Sequence, residues 1–343
     1  MPHSTFVKFI WPSFLAMILF IALPVVSVAV QSFYVEHEQV LKEVENCGPF
    51  RCETVMQVDT EATAQLNEEA PLGRFNGFGT YTNRNHLAFA EIGELWRTSE
   101  TWGAFTFGVY NLPFYKALLF TLSYTAIVTP LVIFFGLMIA LGVNRLPKVV
   151  KGPTIFASLL PMIITPLIGA LILFWMVDAD GIIGATLQII FEDPDLSLKA
   201  SAPLTWIMLF VYGVWSSTPF AFVVFYAGLQ TVPQDTLESA KIDGASRWQQ
   251  VRFVVVPHMM PLLVFITLMQ LMDNFRVLEP IVGFSADAKA TSLSWIILND
   301  LSGDTKLFGS AAATSMLTVI GVCILLTPVL IRTWRDFNQR SAH

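Results

Sequence analysis

Long apolar stretches alternate with short polar ones along most of the chain, and only one polar stretch, near the N-terminus, is long. The apolar runs fall at about 9–33, 114–143, 154–177, 204–229, 255–277 and 308–331. Each is long enough to cross a hydrocarbon core about 30 Å thick as a helix, so the pattern predicts six membrane spans. The first run is too long for a cleavable leader and lacks a small-residue cleavage site, so it is expected to be retained. Residues 36–112 are polar, acid-rich and dotted with aromatic islands such as Phe75-Asn76-Gly77-Phe78, which predicts a small folded insertion. The expected divisions are 1–33 (cytoplasmic end and first span), 34–113 (external insertion), 114–331 (a five-helix core with a cytoplasmic loop at 230–254) and 332–343 (cytoplasmic tail).

Composition agrees with this picture. With 54% hydrophobic and 13% charged residues and a mean hydropathy of +0.61, the chain has too few polar groups to cover a soluble domain. It reads as an all-α polytopic membrane protein. A formal charge of −6 says little about nucleic acid, but no basic cluster suggests such a partner and none is expected. The five histidines are scattered, with no metal-ligand spacing, so no metal site is expected. Cys47 and Cys52 lie close together in the insertion and form either a disulfide or two free thiols there, whereas Cys323 sits in an apolar run.

Charge placement sets the orientation. With a cytoplasmic N-terminus, that side receives Lys8; Arg145, Lys148 and Lys151; Lys241, Arg247 and Arg252; and Arg332, Arg335 and Arg340. The short connections on the other side hold only Lys199, Lys289 and Lys306. The excess of positive residues therefore favours both termini inside. Prolines at 130, 161, 166, 219, 257 and 261 predict kinks in the second to fifth spans.

The loop between the fourth and fifth spans is the most informative stretch. Pro233 suits a first helical turn, and Gln234 to Ile242 holds no breaker, so a short helix is expected there. Asp243-Gly244 should end it, with Gly244 left-handed, and Ser246 should cap a second short helix through Arg247, Trp248 and Val251. Leu237, Ala240, Ala245, Trp248 and Val251 offer small or apolar contacts among charges of both signs, which suits docking in a groove of another protein.

Glu238-Ser239-Ala240, three residues, Gly244, nine residues and then Val254-x-Val256-Pro257 resembles the EAA motif of ABC importer permeases. Ser239 stands where that motif has alanine, and Val254 and Val256 where it has isoleucine and leucine. Asp243-Gly244-Ala245-Ser246 and Trp248 resemble the carbohydrate-uptake, maltose-type branch. The resemblance extends over about Phe75 to Arg335 and leaves 36–74 uncovered. It implies six helices of type I importer permease architecture, located in a bacterial inner membrane. It also implies a second permease, a dimeric ATPase that binds ATP and magnesium, a periplasmic solute-binding protein and a sugar-like substrate. Leu237, Glu238, Ser239, Ala240, Asp243, Gly244, Ala245, Trp248 and Pro257 would form the ATPase-coupling element.

No GxxxxGK[ST] pattern occurs, so ATP hydrolysis would belong to a separate subunit, and no cofactor is expected on this chain. No nucleophile-base constellation suggests an enzyme. For the solute pathway, Gln270, Asp273 and Asn274 are costly polar groups inside the fifth span, and Asp273 can alternatively pair with Arg276. Trp215 and Tyr226 offer faces for a sugar ring or simply pack. The alternative reading, a self-contained secondary transporter or channel, calls for internal inverted repeats, which the sequence does not display.

Overall fold

The computed structural model describes residues 3–47, 52–303 and 305–340. Among the described residues, four helices are long and apolar enough to cross a membrane: α1 at Lys8–Gln31, Pro113–Asn144, Ala202–Leu229 and Phe308–Arg335. Two bent pairs bring the number of spans to six. The chain divides into two compact units, one of residues 1–115 with 296–319, the other of 116–295 with 320–343.

The first unit contains α1 and the insertion. Strand β1 (Tyr34–Val35) pairs with β4 (Arg74–Phe75), and β2 (Leu41–Cys47) pairs with β3 (Cys52–Val58) in an antiparallel hairpin. Its register sets Cys47 opposite Cys52. The side chains of this pair, read from sequence as either a disulfide or two free thiols, lie outside the described residues. Helix α2 (Thr60–Glu69) starts at Asp59, whose carboxylate accepts from the Glu61 and Ala62 amides. Beyond the short α3 (Gly79–Thr82) come two helices in succession, α4 (Phe89–Thr98) and α5 (Trp102–Tyr110). Residues 296–319 of the chain close this unit. Fully buried His86 sits between Asn83 Oδ1 (2.8 Å), Ser310 O (3.1 Å) and Thr314 Oγ1 (3.0 Å), Ser310 donates to Asp300, and Glu36 accepts from the Gly309 amide.

The second unit is the helical core. It holds most of α6 (Pro113–Asn144), then α7 (Lys148–Ile163), α8 (Pro166–Met176), α9 (Ile182–Phe191) and α10 (Ala202–Leu229). Helices α11 (Gln234–Ile242), α12 (Arg247–His258), α13 (Met260–Phe275) and α14 (Glu279–Gly283) follow, with the first residues of α15 (Leu293–Ser302) and the later part of α16 (Phe308–Arg340). Phe120, Val128 and Val132 of α6 meet Leu209, Phe222 and Phe225 of α10, Ile266 of α13 and Ile281 of α14 in one buried cluster.

The third and fifth spans, expected as kinked helices, are broken instead. Helices α7 and α8 meet at 93°, and α12 and α13 at 71°. At the first break Ile164 and Thr165 are extended, because a residue before proline is pushed out of the helical region and Pro166 then opens a new helix. Pro130, Pro161 and Pro219 lie inside continuous helices. Between the ends of α8 and α10, Lys199 pairs with Asp178, holding that carboxyl below its usual range, and stands 3.6 Å from the Phe174 ring centroid.

Candidate functional site

Two places in the helical core carry polar chemistry, one at each end of α13. The first is the loop of α11 and α12. Helix α11 ends as its sequence predicts: Gly244 is left-handed (φ +78°), its amide donates to Lys241 O (3.0 Å), and the Ala245 amide reaches back to Ala240 O (2.9 Å). This pair of bonds satisfies the last carbonyls of the helix and turns the chain. Ser246 then caps α12 through the Gln249 amide, while the Gln249 side chain accepts from the Ser246 amide at 2.7 Å. The loop is closed at its base by Thr231 Oγ1 and His258 Nε2, 3.2 Å apart, and by buried Val232, Val251, Val255 and Met259. Both turns are thus locked by local bonds, leaving a rigid bent element.

Its outer surface is not quite the one expected. Glu238, Ser239, Asp243, Gly244, Trp248 and Pro257 are exposed, and Ala240 and Ala245 are half-buried. Leu237 is half-buried against the chain's own core, so it anchors the loop. Ser239 spends its hydroxyl on Asp235 O. Two residues that sequence reasoning passed over are prominent: Ile242 is 86% exposed and Phe253 66%, beside Trp248 at 70%. An isoleucine directly before the helix-ending Asp-Gly was the available signal, because a helix terminus leaves its last side chain without neighbours on one side.

The second place is a cavity of about 460 Å³ at the other end of α13. Its walls come from Tyr124 of α6, Pro166 of α8, Ser216 and Ser217 of α10, Asp273 and Asn274 of α13, Arg276, Glu279 of α14, and Ser294 of α15. The broken third span brings the N-terminus of α8 to its wall, a way for irregular backbone to line a polar path within a membrane protein. Arg276 donates to Asp273 at 2.9 Å, leaving Glu279 as the other acidic side chain among these residues. The lining charges thus sum to one negative, and serines and carboxylates make it rich in acceptors.

Of the residues expected along a solute path, Asp273 and Asn274 line this cavity. Gln270 does not. It is buried, 3.4 Å from the Asn274 amide, which also donates to Thr129 Oγ1 of α6 at 3.0 Å. Trp215 faces an apolar cavity of about 600 Å³ between α6, α7 and α10, and Tyr226 packs against Phe222 with Lys151 above its ring, so neither shares the polar cavity. Ser216, Ser217 and Glu279 were not singled out from sequence, since a Ser-Ser pair in an apolar run reads as ordinary packing.

Comparison with known proteins places this architecture. Residues 100–334 match the family model described as binding-protein-dependent transport system inner membrane component. A probable ABC transporter permease of Pyrococcus horikoshii is 33% identical over 171 residues, covering 49% of this chain and 58% of the relative. A trehalose/maltose transport system permease of Thermococcus litoralis is 31% identical over 137 residues, covering 36% and 45%. The chain therefore spans about half the length of these relatives. In fold it is similar to a chain of a bacterial ABC transporter involved in the import of the acidic polysaccharide alginate. That match has a TM-score of 0.63 and 16% identity over 98% of this chain and 99% of the other.

Proposed function

The chain belongs to the family of binding-protein-dependent transport system inner membrane components, and from that premise we propose that it is the permease subunit of an ATP-driven importer for a sugar or oligosaccharide. The observation that carries the reading is the bent α11–α12 element, whose two turns are locked and whose apolar residues Ile242, Trp248 and Phe253 stand in the open. A surface of that kind is built to seat in another protein. We assign the partner as a dimeric ATPase carrying ATP and magnesium, with Glu238 offered to one of its basic groups. A second permease and a periplasmic solute-binding protein complete the assembly. The positive residues at 145–151, 241–252 and 332–340 support an orientation with this loop and both termini on the cytoplasmic side of a bacterial inner membrane.

Helix α13 links the two places. Its sixteen residues run about 24 Å from the bend at Met259 to Asp273 and Asn274 at the cavity. Movement of α11 and α12 with the ATPase is passed through that bend into α13, and the Asn274–Thr129 bond ties α13 to α6. The cavity then opens alternately to either side. Its acceptor-rich lining suits hydroxyl donors of a neutral saccharide, in keeping with the trehalose/maltose permease among the relatives. The test is purification of the tagged chain from its native membrane in mild detergent, with mass spectrometry and an ATPase assay. Co-purification of a Walker-motif ATPase and a second permease supports the assignment. Recovery of the chain alone, with no ATPase activity, refutes it in favour of a secondary carrier.

A further inference from the structure

We propose that the helical hairpin of α4 and α5 is an interfacial membrane anchor, lying among the lipid headgroups with its aromatic edge toward the bilayer. Helix α5 reads Trp-Gly-Ala-Phe-Thr-Phe-Gly-Val-Tyr, without a charge. Nine residues rise only about 13.5 Å, less than half of a hydrocarbon core, so the helix cannot span. Even so it is open to its surroundings: Trp102 is 71% exposed and Phe107 67%. Helix α4 is two-sided, with Phe89, Ile92, Leu95 and Trp96 at helical spacing against Glu91, Glu94 and Arg97.

Packing within the hairpin uses only part of this apolar surface. Leu95 seats over Gly108, where an added Cβ would come within 2.7 Å of a Leu95 methyl group. What remains outward is an edge of three rings. Trp96, Trp102 and Phe105 stand 5.4 to 5.9 Å apart, each nearly perpendicular to the other two, and with Ser99, Glu100 and Thr101 of the turn they border a shallow cavity of about 190 Å³. Large exposed apolar patches on a soluble surface are an aggregation liability. Indoles instead favour the membrane interface, where the ring is apolar-solvated and the N–H reaches headgroup oxygens.

Continuity with the bilayer identifies the occupant. Only Asn111 and Leu112 separate α5 from the apolar span α6, so the chain has to enter the membrane at that point. A short apolar helix there, preceded by a helix with one charged edge, matches the in-plane mode of membrane contact. Phe75 and Phe78 elsewhere in the insertion are also exposed (68% and 71%), but they pack edge-on against Tyr34 and Phe33, and the described parts of the acid-rich strands and α2 carry no aromatic cluster of this kind.

The test uses the full-length chain in its assembled complex, reconstituted in lipid vesicles, with native cysteines replaced by serine. A fluorophore is attached at Gly103→Cys on α5, where an added Cβ meets no atom within 4 Å, and in a second variant at Glu94→Cys on the charged edge of α4. The Gly103 probe is expected to lose most of its emission to brominated lipid and little to aqueous iodide, with the opposite response at Glu94. A Gly103 probe quenched by iodide and insensitive to brominated lipid overturns the proposal. So does a probe shielded from both, which would mean that a protein partner covers the hairpin. A cysteine-independent check compares wild type with the Trp96→Phe/Trp102→Phe double variant. The fraction of tryptophan emission quenched by brominated lipid should fall in the double variant, and an unchanged fraction also overturns the proposal.

Discussion

Alanine at position 244 would add one methyl group to open space, since a Cβ built on Gly244 meets no atom within 4 Å. Any effect must therefore come from the backbone, which is left-handed at φ +78°. Holding an L-residue there costs about 1–2 kcal/mol. The chain can relieve this by continuing α11 in the right-handed sense, but it then loses the Ala245–Ala240 bond and displaces the Ser246 cap. A cost of about 1–2 kcal/mol lowers the population of the bent loop relative to alternatives by a factor of roughly 5 to 30. Asparagine enters the left-handed region more readily, and a β-branched residue least readily. Transport and ATPase co-purification should therefore rank Gly244, then Asn, then Ala, then Val, with membrane insertion equal in all four. The assay is uptake into vesicles at matched permease content. Equal activity of Ala and wild type, or Val performing as well as Asn, would refute the argument that the left-handed bend is what this position supplies.

Removing apolar surface at Ile242→Ser or Trp248→Ala, or reversing charge at Glu238→Lys, should each weaken ATPase recovery in pull-downs by about tenfold, as expected for anchors of a docked surface near 1.4 kcal/mol each. Gln270→Ala should destabilise the chain by about 1–3 kcal/mol through the buried Asn274 amide that loses its acceptor, lowering the melting temperature of the complex. Glu279→Gln, exposed at the cavity wall, should leave that temperature unchanged and alter the KM for uptake. Burial holds the His86 imidazole below its ordinary value of 6.5, despite the Ser310 carbonyl within hydrogen-bond distance and the Asp300 carboxylate nearby. A depressed folded-state value means the stabilisation is complete above the unfolded value and is lost as pH falls through the folded one. Unfolding temperature should thus decline below about pH 6.5 in wild type, and His86→Gln should flatten that decline. Asp300, raised by burial, works in the opposite direction.

The spans, the helix 234–242, the Asp-Gly stop and the Ser246 cap could all be read from the chain, because each depends on apolar length or on residues within a few positions of one another. The family followed from the same local spacing. The breaks at Thr165 and Met259 were only half legible: proline announces strain, but neighbouring helices decide whether it yields a kink, a 93° turn or, as at Pro130 and Pro219, an uninterrupted helix. The cavity was less legible still. Ser216, Glu279 and Tyr124 lie more than sixty residues apart in part, and only the packing of α6, α8, α10, α13 and α14 makes them neighbours. The same packing turned Leu237 and Gln270 inward and left Ile242 in the open, since composition says which groups are costly to expose or bury and tertiary contact alone decides which of them find partners.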